Sequence, residues 1–421
     1  MGGIGGCVVA PGTAPDREAL ERLAAALAHR GPDETRITVD GNVGLVETRL
    51  EITSDAAAER PASDVRSGAL LALDGEVLNA ATLRAEPSER PFGSAADAEA
   101  LLRAMGELGT PALAHLEGCF ALALLDSRGR QLFLARSGVG MKPLHWAQQD
   151  GAVWFASEVQ ALLAAGLRGA VRTDVLRRVA SLGWEAREET LIDPVRRVMP
   201  GCRLRIDLGS LDCSAERFYD LNAEVDAELQ AELAALPRKA LIDLLDTRLD
   251  AAVRKLLGGD RPVAFFCSGG LDSSLLTARG QRGRPGGTAF VGSLRADHLV
   301  DEGPYARLLA RELGMELEVV VVTAANWREA FVDAVFHHGA PMSMPVPVAL
   351  SQIAGAVARG GFKAALVGNV ADALFGGDWG RHRQAFLDFL PLGARVGRRL
   401  RRLRGAGPGG VVETLRARLS P

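Results

Sequence analysis

The sequence is poor in the features that would place a protein at once. Its five cysteines, Cys7, Cys119, Cys202, Cys213 and Cys267, are scattered, with no CxxC pair and no metal-ligand spacing. Most sit among apolar residues, so buried free thiols in a reducing cytosol are expected. A formal net charge of −3 gives no whole-chain pull toward nucleic acid or an anionic membrane. No apolar run reaches the length of a membrane span, and the chain does not open on basic residues followed by a long apolar run. Internal repeats are absent. The expectation is a cytoplasmic protein with neither nucleic acid nor membrane as partner.

What is present fits an ordinary globular chain. At 48% hydrophobic and 24% charged over 421 residues, it has apolar mass for real cores, and its length suits two domains. Residues 1–210 read as many short strands with two helices. The segments 70–79, 118–137 and 153–158 have strand length, and 127–130 (SRGR) is a hairpin turn. Segments 16–31 and 96–109 have helical spacing with a glycine stop. This is an antiparallel α+β pattern. A polar, acidic stretch at 211–238 reads as a linker. From 239 to 421 the rhythm alternates: helix 239–257, strand 262–267, helix from Ser273, strand 287–294, helix 302–314, strand 315–322, helical stretches 324–338 and 346–360, and strand 364–368. Alternating elements with continuous apolar strands predict a parallel sheet covered on both faces. The arginine-dense segment 394–405 reads chiefly as a solvated basic face.

The strongest chemical signal is Ser268-Gly269-Gly270-Leu271-Asp272-Ser273-Ser274, directly after a strand and before a helix. Glycines let backbone amides close on an anion, and the helix adds its positive end. The serines supply hydroxyls. Asp272 repels a bare phosphate, so it implies a bridging cation, Mg²⁺. The pattern is neither GxxxxGK[ST] nor GxGxxG. His337 and His338 are adjacent on a predicted helix and do not share a face, so they are not read as a metal pair. The group Asp297, His298, Asp301 and Glu302 is read as a helix cap.

SGGLDSS resembles the pyrophosphate loop of ATP pyrophosphatases, and further segments point to one branch. GNVADALFGG (368–377) is similar to a second loop usually written SGEGADELFGG. ARSGVGMKPLHWA (135–147), FASEVQALL (156–164), LALDGEVLN and VMPGCRLRID also match, in order, the segments of the asparagine synthetase family, which includes β-lactam synthetases and lasso-peptide cyclases. The resemblance implies an N-terminal-nucleophile (Ntn) type amidotransferase domain followed by an ATP-pyrophosphatase (adenine nucleotide α-hydrolase-like) domain. It implies ATP and Mg²⁺ as cofactors: adenine against Phe266, Val291, Val367 and Gly368, phosphates on Ser268, Gly269, Gly270, Leu271, Ser273 and Ser274, and the metal on Asp272 and Asp372. A substrate carboxylate, on a small molecule or peptide, would be adenylated and passed to an amine.

The resemblance also explains the opening MGGIGGCVVA. Glutamine-using members begin Met-Cys-Gly-Ile, and the cysteine attacks the glutamine amide. Gly2 stands there instead, and Cys7 cannot substitute from within a strand. Arg49, Gly75, Glu76 and Asp97 match other pieces of the glutamine pocket. Position 74, Asn in the family, is Asp74, whose carboxylate would repel an oxyanion. No glutaminase activity is expected.

Three departures touch the second domain. The loop glutamate that takes a proton from the amine is Asn369, a poor base. The aspartate of a GDP-like segment is Ser343. Relatives continue into a helical region with a lysine on the adenylate, whereas this sequence has no lysine after Lys363. Arg381 and Arg383 would stand in as catalytic cations, a pathway partner protein would complete the site, or adenylation is impaired. Arginine is no simple replacement for a lysine point charge. The expectation is an amide-forming ligase for a specialised natural product. Its rivals are a non-catalytic scaffold and an ammonia-dependent asparagine synthetase, and a homodimer stays open.

Overall fold

A computed structural model of the chain describes residues 2–52, 62–64, 68–79, 98, 101–102, 104–105, 110–258, 262–294, 302–342 and 346–375. The chain divides into two units, Met1–Leu366 and Val367–Pro421. Asp97, Ser343, Arg381, Arg383 and the arginine-dense 394–405 lie outside the described residues.

The first half of the large unit is built from two six-stranded sheets. One runs, edge to edge, Arg196–Arg197, His145–Gln149, Ala152–Ala156, Gly2–Val8, Val43–Arg49 and Glu34–Asp40. The other runs Cys213–Arg217, Cys202–Asp207, Gln131–Arg136, Gly118–Asp126, Ala69–Val77 and Ala62–Asp64. Each pairing is antiparallel. Ile4, Val8, Leu45, Ala72, Ala121, Leu134 and Phe155 share a single core drawn from both sheets. The helix Arg17–Leu27 covers the other face of the first sheet through Leu20, Leu23 and Leu27. Helical residues Ala98, Leu101, Leu102 and Met105 cover the other face of the second. Each leucine so buried contributes about 1.5–3 kcal/mol.

Glycine in the first strand follows from this packing. A Cβ on Gly5 would lie 2.5 Å from Leu23 Cδ2, and one on Gly44, in the next strand, 2.6 Å from Leu20 Cδ1. The helix therefore rests on bare backbone. A Cβ on Gly6 would stand 2.0 Å from the Gly44 carbonyl oxygen.

Two sequence boundaries move. Cys213–Arg217 pairs with Cys202–Asp207, so the first half extends past residue 210 into the segment read as linker. That segment also holds a helix, Ala227–Ala235, capped by Asp226, whose carboxylate accepts from the Glu228 and Leu229 amides.

The remainder of the large unit carries a four-stranded sheet in the order Glu316–Val322, Thr288–Leu294, Val263–Phe266, Ala364–Leu366, all parallel. Helices Arg238–Leu256, Leu271–Gly283, Gly303–Glu312, Ala324–His338 and Val346–Arg359 follow the predicted alternation. The chain winds outward from Val263–Phe266 in one direction and returns on its other side with Ala364–Leu366. The winding reverses between these strands, where open parallel sheets bind ligands beyond the strand ends. Among the described residues, no helix is long and apolar enough to cross a membrane.

His145 gives the first half a pH dependence. Burial, with Arg197 and Arg136 nearby, pushes its pKa from 6.5 down to about 3. The folded value lies below the unfolded one, so the stability contributed by the neutral imidazole is complete above pH 6.5 and is lost as the pH falls toward about 3. Unfolding free energy should drop by up to about 1.4 kcal/mol per pH unit in that window from this group. Urea midpoints across the window should fall more steeply for the wild type than for His145→Gln; parallel profiles would contradict the assignment.

Candidate functional site

The strand Val263–Phe266 ends in the SGGLDSS loop. Cys267 is buried and donates its N–H to the Phe290 carbonyl at 2.9 Å, which holds the loop to the neighbouring strand. Ser268 and Ser273 join through their hydroxyls at 2.9 Å, and the Gly270 N–H donates to Ser268 Oγ at 3.2 Å. Gly269 has φ +80°, and a Cβ there would lie 2.4 Å from Tyr305 Cβ. Only glycine satisfies both constraints. The helix then starts at Leu271, two residues earlier than expected, with no side-chain cap on its first turn. Its leading amides carry no side-chain cap and are of the kind that can receive an anion. Asp272 stands in that first turn.

The helix is fixed from behind. A Cβ on Gly280 would lie 2.2 Å from Phe265 Cε1, so helix and strand touch without an intervening side chain. Arg279 is buried and pairs with Asp246 and Asp250 of the preceding helix. Phe266 is half-buried with Ala264, Phe290 and Phe362, and Val291 is buried with Cys267, Ala289 and Ala306. Glu302 stands at its helix start but makes no side-chain cap bond.

The second unit begins at Val367 with the other loop, and Asp372 lies in the first turn of the helix Ala371–Phe375. Asn369 and Gly368 precede it. Val370 has φ +73°. A β-branched residue in that region costs about 1–2 kcal/mol, and the family pattern has glycine at this place.

A buried ion cluster stands at the start of the first strand of the first half. Asp74 is fully buried. Its Oδ1 accepts from the Gly2 N–H at 3.2 Å and faces Lys142 Nζ at 3.4 Å, and its Oδ2 accepts from Arg30 Nη2 at 2.8 Å. Arg30 also donates from Nε to the Gly2 carbonyl at 3.0 Å and from Nη1 to Glu158 Oε1 at 2.9 Å. Burial works against the Arg30 charge, but Asp74 and Glu158 together hold its pKa above the ordinary value. Asp74 is therefore the partner of two cations, beyond the repulsive group the sequence suggested. A Cβ on Gly2 would stand 1.7 Å from the Thr48 carbonyl oxygen, so this backbone has no room for a side chain at position 2. Cys7 is sealed in the core, and burial pushes its thiol up to about 12. Arg49 is buried, with Glu34 and Glu51 carboxylates at 3.7 and 3.8 Å. Gly75 has φ +132° and faces the Cys119 carbonyl oxygen at 1.9 Å from its would-be Cβ; Glu76, next along the strand, is half-buried.

Sequence reasoning missed Arg30, Lys142 and Glu158 as parts of this cluster. Arg30 was read only as the end of a helix, and the other two only as pieces of matched segments. Their shared role appears when residues 44 to 128 positions apart meet.

Comparisons with known proteins follow this geometry. A glutamine amidotransferase domain description matches residues 1–219, and an asparagine synthase description matches 244–413. A Mycobacterium bovis protein with the provisional name of a glutamine-hydrolyzing asparagine synthetase is 31% identical over 87% of this chain and 58% of its own length. Asparagine synthetase (glutamine-hydrolyzing) 1 of Bacillus subtilis is 26% identical over 87% of this chain and 56% of its own. Amidase chyE of Penicillium rubens is 27% identical over 85% of this chain and 54% of its own. Among solved structures, glutamine phosphoribosylpyrophosphate amidotransferase from B. subtilis covers 87% of this chain and 91% of its own at 15% identity, with a TM-score of 0.41, too loose a likeness to carry an argument. The chain belongs to the asparagine synthetase family. It spans little more than half the length of these curated relatives.

Asp74→Ala leaves Arg30 and Lys142 without their shared counter-charge. The first half should lose about 3 kcal/mol of stability, and Asp74→Asn should lose less. Thermal unfolding compares the three proteins; an unchanged midpoint for Asp74→Ala would contradict the pairing.

Proposed function

We propose that the protein is an ATP-dependent, amide-forming ligase without glutaminase activity, acting on a specialised carboxylate. The observation that supports this most is the loop Ser268–Ser274. It is closed by its own serines, bent at a glycine that admits no side chain, and followed by an uncapped helix at the reversal point of a parallel sheet. These residues fit a nucleotide polyphosphate with its metal: the amides and hydroxyls would hold the phosphates, and Asp272, in the first turn of the helix, would hold Mg²⁺. That ion would supply neutralisation of the pyrophosphate charge. The finer fold assignment, an Ntn-type half and an ATP-pyrophosphatase half, belongs to this reading.

The reaction has two steps. A carboxylate oxygen of the substrate bonds to the α-phosphorus of ATP as the bond to pyrophosphate breaks. The amine nitrogen then bonds to the acyl carbon, AMP leaves, and the amine's proton passes to a base. Asn369 cannot accept that proton, so another group or a solvent molecule does. This disfavours plain asparagine synthesis. The fungal relatives named amidases support a specialised substrate. Arg381 and Arg383 remain proposed cations at the pyrophosphate. A second reading, a nucleotide-binding homologue without turnover, is favoured by Asn369.

Asp272→Ala should weaken Mg²⁺-ATP binding by about 2–3 kcal/mol, the loss expected when a charge-assisted contact to phosphate goes. Calorimetry with Mg²⁺ present measures it, and equal affinity would contradict the site. Separately, glutamine should yield no glutamate above a no-enzyme control, and Gly2→Cys should not restore release, because its Cβ would meet the Thr48 carbonyl. Thiol-sensitive glutamate release by either protein would overturn this part.

A further inference from the structure

His29, Glu158 and His337 come together although they are far apart in sequence. His29 lies in the turn Ala28–Arg30 after the first helix, Glu158 at the start of the helix Val159–Ala164, and His337 in the last turn of Ala324–His338. The first two belong to the amidotransferase half and the third to the helices around the parallel sheet. His29 Nε2 lies 3.0 Å from Glu158 Oε1, and His337 Nδ1 lies 3.6 Å from Glu158 Oε2. The two imidazole centroids are 4.3 Å apart. The three ligand atoms all lie within 4.8 Å of one another. The geometry points to a zinc-type divalent metal site, bound by two imidazoles and one carboxylate, that clips the two halves of the large unit together.

Distances, donor type and a leftover oxygen support the assignment. Zinc bonds of about 2.0–2.2 Å to nitrogen and carboxylate oxygen set tetrahedral ligand atoms roughly 3.4 Å apart. The two imidazoles approach different oxygens of Glu158, at 3.0 and 3.6 Å, close to that figure, and ligand atoms that all lie within 4.8 Å of one another would draw together to seat an ion. Glu158 is buried, and although it stands at a helix start, its side chain makes no cap bond. Arg30 holds Oε1 from outside the triad while sharing its charge with Asp74, in the manner of a group that orients a metal-binding carboxylate. Gln160, also buried, donates its amide to Glu158 Oε2, and its own Oε1 has no hydrogen-bond partner. A buried carbonyl oxygen left alone beside a carboxylate calls for a missing ion or water. The adjacent His338 takes no part, as the sequence argument about neighbouring histidines requires. The site became visible only when His337 met partners from the other half.

The test uses the full chain, stripped with a chelator and dialysed. Titration with Zn²⁺ in a calorimeter should show one saturable site. His29→Ala and His337→Ala should each weaken it by at least tenfold, and His115→Ala, an exposed control, should leave it unchanged. Co²⁺ in place of Zn²⁺ should give the visible absorption of a tetrahedral site in the wild type and lose it in both variants. Zn²⁺ should also raise the thermal midpoint of the wild type and not of His337→Ala. Should His337→Ala fail to fold, His337→Asn takes its place. Absence of saturable binding, or binding unchanged in both histidine variants, would overturn the proposal.

Discussion

The first half is organised around one buried guanidinium. Arg30 grips both faces of the opening strand's first residue: Nε holds the Gly2 carbonyl, and Asp74, paired to Nη2, accepts the Gly2 N–H. Its remaining arm reaches Glu158. A charge taken this far out of water costs several kcal/mol and is tolerable only when its partners are fixed. The sheets must therefore approach closely enough for Asp74, from the second, to meet a strand of the first. On the opposite face of the opening strand, Gly5 and the neighbouring Gly44 let the first helix rest on bare backbone. The Arg30–Asp74 contact places a buried carboxylate with two cations on it beside the first strand.

The second half shows the opposite economy. Its loop at Ser268 is shaped and anchored, yet it leaves helix amides without a side-chain cap. Glycine at 269 and 280 lets a neighbouring helix and strand close to van der Waals distance, and Arg279 locks the helix to Asp246 and Asp250. Rigid support behind an uncapped helix end is what the proposed phosphate binding would need, since misplacement there is costly in rate. The strained Val370 in the other loop adds a contrast: backbone geometry suited to glycine persists there under a side chain that resists it.

Much of this was legible in the sequence, for physical reasons that differ between features. The parallel-sheet half announced itself through continuous apolar strands and helical spacing, and the helix Ala324–His338 falls where periodicity puts it. The turn at SGGLDSS was legible because its features are local: strand end, glycines, hydroxyls and a helix start are consecutive. The end of the first half was not legible, because Cys213–Arg217 is a short edge strand in polar surroundings, and only its pairing partner identifies it. The Arg30 cluster and the His29–Glu158–His337 group were hidden for a related reason. Each is assembled across the fold from residues whose local patterns say nothing of one another.

The central claim is that chemistry resides at the Ser268–Ser274 loop while the amide pocket is closed by its own ion cluster. A crystal structure of the full chain with Mg²⁺-ATP and glutamine both present tests it most directly. The account predicts nucleotide phosphates on the amides at the start of the helix Leu271–Gly283, no glutamine beside Gly2, and Asp74 still paired with Arg30. Glutamine seated against Arg49 with Asp74 displaced from Arg30, or a nucleotide bound away from the loop, would contradict it.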